Sequence, residues 1–111
     1  MARRNWRVVW TESAAADLVE IVAFIAGNSP ANARRLLIRL RSRADSLGRS
    51  PQRGRIVPEL ASSGTRMWRE RVVRPYRLVY RIREDIVMVG AVVDGRRDLE
   101  ELLLERLTRI L

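Results

Sequence analysis

The spacing of apolar residues changes period three times along this 111-residue chain, and no other feature constrains the fold as tightly. Ala14, Leu18, Ile21, Val22 and Ile25 recur at helical steps behind Thr11, a residue suited to cap a helix, with Glu12 in the first turn. Gly27 and Asn28 close that helix. Ser29 and Pro30 open another, because serine caps and a proline at the first helical position gives up only an N–H that has no partner there. The second stripe is Ala33, Leu36, Leu37, Leu40, Ala44 and Leu47, with Gly48 expected in a left-handed conformation past the end. A link this short makes the two helices an antiparallel hairpin.

On either side of the hairpin the period is two. Trp6, Val8 and Trp10 alternate with Arg7, which predicts a half-buried strand over 5–11. Residues 48–66 read as an irregular connection, long enough to suggest function, because Gly48, Pro51, Gly54, Pro58 and Ser62-Ser63-Gly64 interrupt any period. Strands follow over 67–74, 76–83 and 86–93, the last two joined tightly through Glu84 and Asp85. The 86–93 segment is apolar on both faces and so belongs in the middle of a sheet. In the strand before it, Tyr76, Leu78, Tyr80 and Ile82 share one face, while Arg77, Val79, Arg81 and Arg83 share the other, predicting one face packed inward and one open and cationic.

The chain closes on a third amphipathic helix. Asp98 is placed to cap it, Glu100 and Glu101 start it, and Arg106 and Arg109 end it, all in the sense the helix dipole favours. Its stripe is Leu99, Leu102, Leu103, Leu107 and Ile110, with Leu104 off the stripe and expected to make a second contact. The order is that of an α+β domain spanning 1–111: an N-terminal strand, then a helical hairpin packed on a mostly antiparallel sheet (β-α-α-β-β-β), then a C-terminal helix.

Charge narrows the chemistry. The 22 basic residues are all arginine, against 13 acidic ones, for a net charge of +9, and lysine, histidine and cysteine are absent. Thiolate, imidazole and Schiff-base chemistry are thereby excluded, together with the usual zinc ligands, and arginine donates hydrogen bonds but does not release its proton. Carboxylates, tyrosine and water are left for proton transfer. No metal or cofactor is expected, the expected partner is acidic, and with no apolar run long enough for a membrane span the expected location is the cytoplasm.

The arginines fall into groups. Arg35, Arg39 and Arg43 lie at four-residue steps on the second helix, where they are solvated, pair with Asp17 and Glu20, or are covered by an acidic partner. Arg69 and Arg71 lie on the 67–74 strand, Arg77, Arg81 and Arg83 on the next, and Arg96 and Arg97 beyond the last. Arg77 and Arg81 together with Arg96 and Arg97 form a phosphate-sized fork if the strands bring them together. A base to work beside them is harder to find. Tyr76 and Tyr80 alternate toward the apolar face, and Asp98 reads as a helix cap. Trp6 and Trp10 read as core residues, and so does Trp68, with a partner surface as its alternative.

Arg74-Pro75-Tyr76-Arg77-Leu78-Val79-Tyr80-Arg81-Ile82, followed by a turn, an apolar strand and Asp94-Gly95-Arg96-Arg97-Asp98-Leu99, resembles the C-terminal signature of the RelE/ParE toxin superfamily. Upstream, Ser50-Pro51-Gln52-Arg53-Gly54-Arg55 and Pro58-Glu59-Leu60 resemble its ParE branch, and the likeness spans roughly 5–107. The resemblance implies the toxin of a type II toxin-antitoxin module, neutralised by a small antitoxin. RelE-like members cut mRNA on the ribosome, whereas ParE-like members inhibit DNA gyrase. In the nuclease branch, arginines matching Arg77 and Arg96 hold the scissile phosphate and a tyrosine or histidine appears early in the final helix, where this chain has Leu102 and Leu103. Asp94 stands where the family commonly has histidine.

The expectation is therefore a ParE-like gyrase inhibitor acting by protein contact and held by an acidic, ParD-like antitoxin. The arginines named above then serve as contacts to target or antitoxin. One alternative is a ribosome-dependent mRNA endoribonuclease using Arg77, Arg81 and Arg96. Another is a non-toxic family member acting as a binding module.

Overall fold

Thr11 joins the first strand to the first helix. Its N–H donates to the Val89 carbonyl at 3.0 Å, and its hydroxyl accepts from the Ala14 N–H at 3.1 Å, so one residue ends β1 (Arg7–Trp10) and caps α1 (Glu12–Ala26). Ser29 caps α2 (Pro30–Ser46) in the same way, accepting from Asn32 N–H at 3.2 Å. Both helices begin where their cap residues predict. The computed structural model describes residues 5–95 and 99–110.

Gly48 follows α2 without turning left-handed, since among the described glycines only Gly64 has positive φ. Its role is close approach. The Trp6 N–H donates to the Gly48 carbonyl at 2.7 Å, and a Cβ on Gly48 would lie 2.8 Å from the Trp6 carbonyl oxygen. The connection expected to be irregular has more structure than its glycines and prolines suggest. It contains a 3-10 turn (Pro51–Arg53), a two-residue strand β2 (Arg55–Ile56) and a single turn of helix, α3 (Pro58–Ala61). β2 pairs with β3 (Trp68–Val73), so the sheet supplies partners for backbone groups that a loop would have left to water.

β4 (Tyr76–Arg83) and β5 (Ile86–Asp94) complete a sheet of order β1-β5-β4-β3-β2, antiparallel except where β1 runs parallel to β5. Glu84, at φ 56°, turns the chain between them. α4 (Glu100–Ile110) ends the description. The β4–β5 register slips by one residue: Val79 faces Ala91 and Tyr80 faces Val89, leaving Gly90 as the extra residue of a bulge. A side chain at Gly90 would meet the Trp68 ring at 2.8 Å and Leu107 at 3.0 Å.

Two cores result, one on each face of the sheet. The hairpin of α1 and α2 packs Leu18, Leu36, Leu40 and Leu47 against Leu78, Tyr80, Val87, Val89 and Val92. On the other face, α3 and α4 pack Leu60, Leu103 and Leu107 against Trp68, Val79, Ala91 and Val93. The open cationic face expected on β4 is therefore not present. Val79 is fully buried, Arg77 is 7% exposed and Arg81 is half-buried. The C-terminal leucines need a surface to cover, and this face is the one the hairpin leaves available. Leu104, off the main stripe, is partly buried against the same core, as is Leu102. Trp68 is buried as expected, whereas Trp6 and Trp10, on the edge strand, are only partly covered.

Gly90→Ala should destabilise the protein by about 1–3 kcal/mol, because the new methyl overlaps Trp68 and Leu107. Urea unfolding followed by tryptophan fluorescence measures this, and an unchanged midpoint would contradict the packing described here.

Candidate functional site

Arg77 leaves β4 on the face covered by α3 and α4. Its Nε donates to Glu70 Oε1 at 2.7 Å. Its terminal nitrogens grip the Glu59 carboxylate in a two-pronged bridge, Nη1 to Oε2 at 2.5 Å and Nη2 to Oε1 at 2.7 Å. The other oxygen of Glu70 accepts from Arg55 Nε at 2.7 Å. The result is an alternating chain, Glu59–Arg77–Glu70–Arg55, whose exposure rises outward from its centre. The Glu70 side chain is fully buried, Arg77 is 8% exposed, Glu59 25% and Arg55 64%.

Two acids are needed because a guanidinium taken out of water must have its donors met. The Glu59 bridge holds the Arg77 pKa well above its ordinary value, with burial opposing it and Glu70 adding to it. Reciprocally, the bridge to Arg77 holds the Glu59 carboxyl below its ordinary value, against the opposing effect of burial. Above the network lies an open cavity of about 400 Å³ lined by Arg55, Glu59, Val72, Arg74, Pro75, Arg77 and Gly95.

The tyrosines lie on the opposite face. Tyr80 is fully buried and its hydroxyl is doubly engaged, donating to the Pro51 carbonyl at 2.5 Å and accepting from the Gly54 N–H at 2.9 Å. Burial raises its pKa above the ordinary tyrosine value. Gly54 has no room for a side chain there, since a Cβ would sit 2.3 Å from that hydroxyl oxygen. Arg69 braces the same turn, donating to the Gly54 carbonyl at 2.8 Å. Tyr76, half-buried, packs on the hairpin core.

The remaining arginines are dispersed. Arg35 and Arg39 are exposed on α2, Arg43 is half-buried, and Arg35 donates to Asn32 Oδ1 at 2.9 Å. Asp17 is not their counter-ion as one reading expected. It turns to the sheet and α4 instead, accepting from the Val92 N–H at 2.9 Å and from Arg106 Nη1 at 2.5 Å. Arg71 is half-buried on β3, and Arg83 is exposed at the end of β4. Arg81 keeps its Nε buried without a hydrogen-bond partner. Arg96, Arg97 and the expected cap Asp98 lie outside the described residues, so of the expected fork the structure describes Arg77 and Arg81. Gly95, at its threshold, donates to the Pro75 carbonyl at 2.8 Å.

Glu70 has no place in the motifs read from the sequence, while Arg55 and Glu59 stand there inside family motifs with no role assigned. Glu70 carried a signal in its position, midway between Trp68 and Val72 on one face of its strand and therefore inward if Trp68 is inward. Glu59 carried none, because its reach to Arg77 depends on where α3 docks.

A five-stranded sheet with a helical hairpin on one face, a C-terminal helix on the other and an arginine-centred cavity at the β4 end defines a toxin domain of the RelE/ParE superfamily. The family model of the ParE toxin of the type II toxin-antitoxin system parDE matches residues 8–99, and the chain belongs to that family. Toxin RelE2 of Caulobacter vibrioides is 39% identical over 84 residues, covering 75% of this chain and 88% of the relative. Two solved structures share the fold. The chromosomal ParDE system from P. aeruginosa superposes with a TM-score of 0.66 at 19% identity, over 82% of this chain and 97% of that one. A double-arginine mutant of the E. coli toxin RelE in the free state gives 0.64 at 18%, over 96% and 99%.

Breaking the network from its centre should cost more than breaking it at its rim. Glu70→Leu should lose about 3–5 kcal/mol, because the buried Arg77 Nε loses its partner, and Glu59→Gln about 1 kcal/mol, since that partner is part-exposed and glutamine still accepts a hydrogen bond. The Glu59 contribution is present in full above its ordinary pKa of 4.5 and is lost as pH falls through the lower folded value. Urea unfolding of both variants across that range checks the order, and the Glu59→Gln protein should show the shallower acid loss.

Proposed function

We propose that this toxin inhibits DNA gyrase by direct protein contact in the cytoplasm and is held inactive by an acidic, ParD-like antitoxin. The observation that carries the reading is the state of the groups around Arg77. Cleavage of RNA through its 2′-hydroxyl needs a base, an acid and cations free to meet the phosphate. Here the Arg77 guanidinium is already matched by two carboxylates. The buried tyrosine hydroxyl nearest in sequence is engaged on the opposite face of the sheet with its pKa raised. Family membership and the ParDE structural neighbour support the antitoxin assignment. No helix among the described residues is long and apolar enough to cross a membrane.

The surface proposed to receive the antitoxin is the helical hairpin. Leu18, Val19, Val22, Ala23, Leu37 and Arg41 line a groove of about 320 Å³ there, and Phe24, Val19 and Ile38 expose 79%, 67% and 58% of their surfaces. Exposed apolar residues flanked by Arg34, Arg35 and Arg39 suit an amphipathic helix bearing acidic residues. The β4 face that the sequence led us to expect open is covered by α3 and α4, which favours the hairpin for this role.

The relative named Toxin RelE2 supports a second reading, a ribosome-dependent mRNA endoribonuclease with Arg77, Arg81 and Arg96 around the phosphate. Purified toxin should block supercoiling by gyrase while leaving mRNA intact on translating ribosomes. The reverse result, lost in Arg77→Ala, would establish the nuclease, and absence of growth arrest on expression without antitoxin would favour the non-toxic module. Phe24→Asp should weaken antitoxin binding by about tenfold or more and change stability by less than about 0.5 kcal/mol, because Phe24 is exposed. Calorimetric titration with the antitoxin tests this.

A further inference from the structure

We propose that the cavity over Arg77 is a carboxylate-exchange site, in which an acidic side chain of a bound peptide displaces Glu59 and takes over its two-pronged bridge. Three features of the site carry this. The guanidinium edge held by Glu59 is the outer one: Glu59 is 25% exposed, whereas Glu70, on the inner side, has no exposed side-chain surface. Removing Glu59 alone therefore opens Arg77 to the cavity while Glu70 keeps it partly neutralised. Glu59 stands on α3 beside Leu60, which anchors that helix in the core, so the part-exposed Glu59 side chain can swing away while the helix and the β2–β3 pairing stay in place.

The cavity rim also carries charge that Glu59 does not satisfy. Arg55 uses its Nε on Glu70 and lines the opening together with the exposed Arg74. Glu59, Arg77, Glu70 and Arg55 sum to zero, so Arg74 leaves the site cationic even when Glu59 is in place. An incoming carboxylate would recover the bridge that Glu59 gives up and add the Arg55 and Arg74 donors.

A carboxylate fits better than a phosphate. The resident group is itself a carboxylate in bidentate geometry, and Glu70 beneath it repels the extra charge of a phosphate dianion. The inference is independent of whether gyrase or the ribosome is the target, and its test reads the exchange alone.

The probe is a terminally blocked peptide of alternating Asp and Gly, titrated into the folded protein while the Arg77 Nε–H resonance is followed by NMR. In the Glu59→Gln protein the peptide should bind about tenfold more tightly than to wild type, shift that resonance, and lose the gain in Glu59→Gln/Arg74→Gln. Glu20→Gln, which makes the same charge change at an exposed position of α1, serves as the control. Equal binding by the Glu59→Gln and Glu20→Gln proteins would overturn the proposal, because overall charge would then explain the gain. A short single-stranded RNA that moves the Arg77 resonance when the peptide does not would overturn the choice of carboxylate.

Discussion

β5 is buried on both faces, and most of the architecture follows from covering it twice. Val87, Val89 and Val92 require the α1–α2 hairpin, while Ala91 and Val93 require a second layer, which the chain supplies with α3 and α4. The bulge at Gly90 reconciles the two layers. It shifts the alternation by one residue, so that Val89 and Val92 both reach the hairpin side, and it leaves room for the Trp68 ring and Leu107 on the other. Asp17 then ties the layers together at one point, receiving a backbone N–H of β5 and the Arg106 side chain of α4.

Covering the second face has an electrostatic consequence. β4 alternates tyrosine and arginine, and an arginine facing outward on an open sheet becomes an arginine inside once α3 and α4 dock. Arg77 is retained there through Glu70, buried beside it, and Glu59, brought over it by α3. A lone buried guanidinium would not be tolerated, so these carboxylates belong to the fold as well as to the site. The same pairing means that any anion reaching Arg77 meets a guanidinium already matched by the protein's own acids.

Much was legible in the sequence where the physics is local. Thr11, Ser29 and Pro30 announced their helix starts because capping depends on a residue and its next few neighbours. The two-faced apolarity of 86–93 placed β5 centrally, and the strand bounds 76–83 match the structure. Less was legible across 48–66, where prolines and glycines mark turns but do not reveal that Arg55–Ile56 finds a partner in β3. Gly48 shows the same limit, since a left-handed end and a close approach to Trp6 both ask for glycine, and only the position of the N-terminal segment distinguishes them.

The sequence by itself determined the class of fold, the family, the excess of arginine and the absence of imidazole and thiol chemistry, because these depend on composition, periodicity and contiguous motifs. Tertiary structure alone decided the state of the arginines. Whether Arg77 faces solvent or carboxylates depends on residues 7 and 18 positions away, and whether Asp17 pairs along the hairpin or across to α4 depends on a partner 89 positions away. Charges at such separations meet only after the layers have packed, and packing is governed by burial of the leucines and valines, which carries no information about which ions it will bring together.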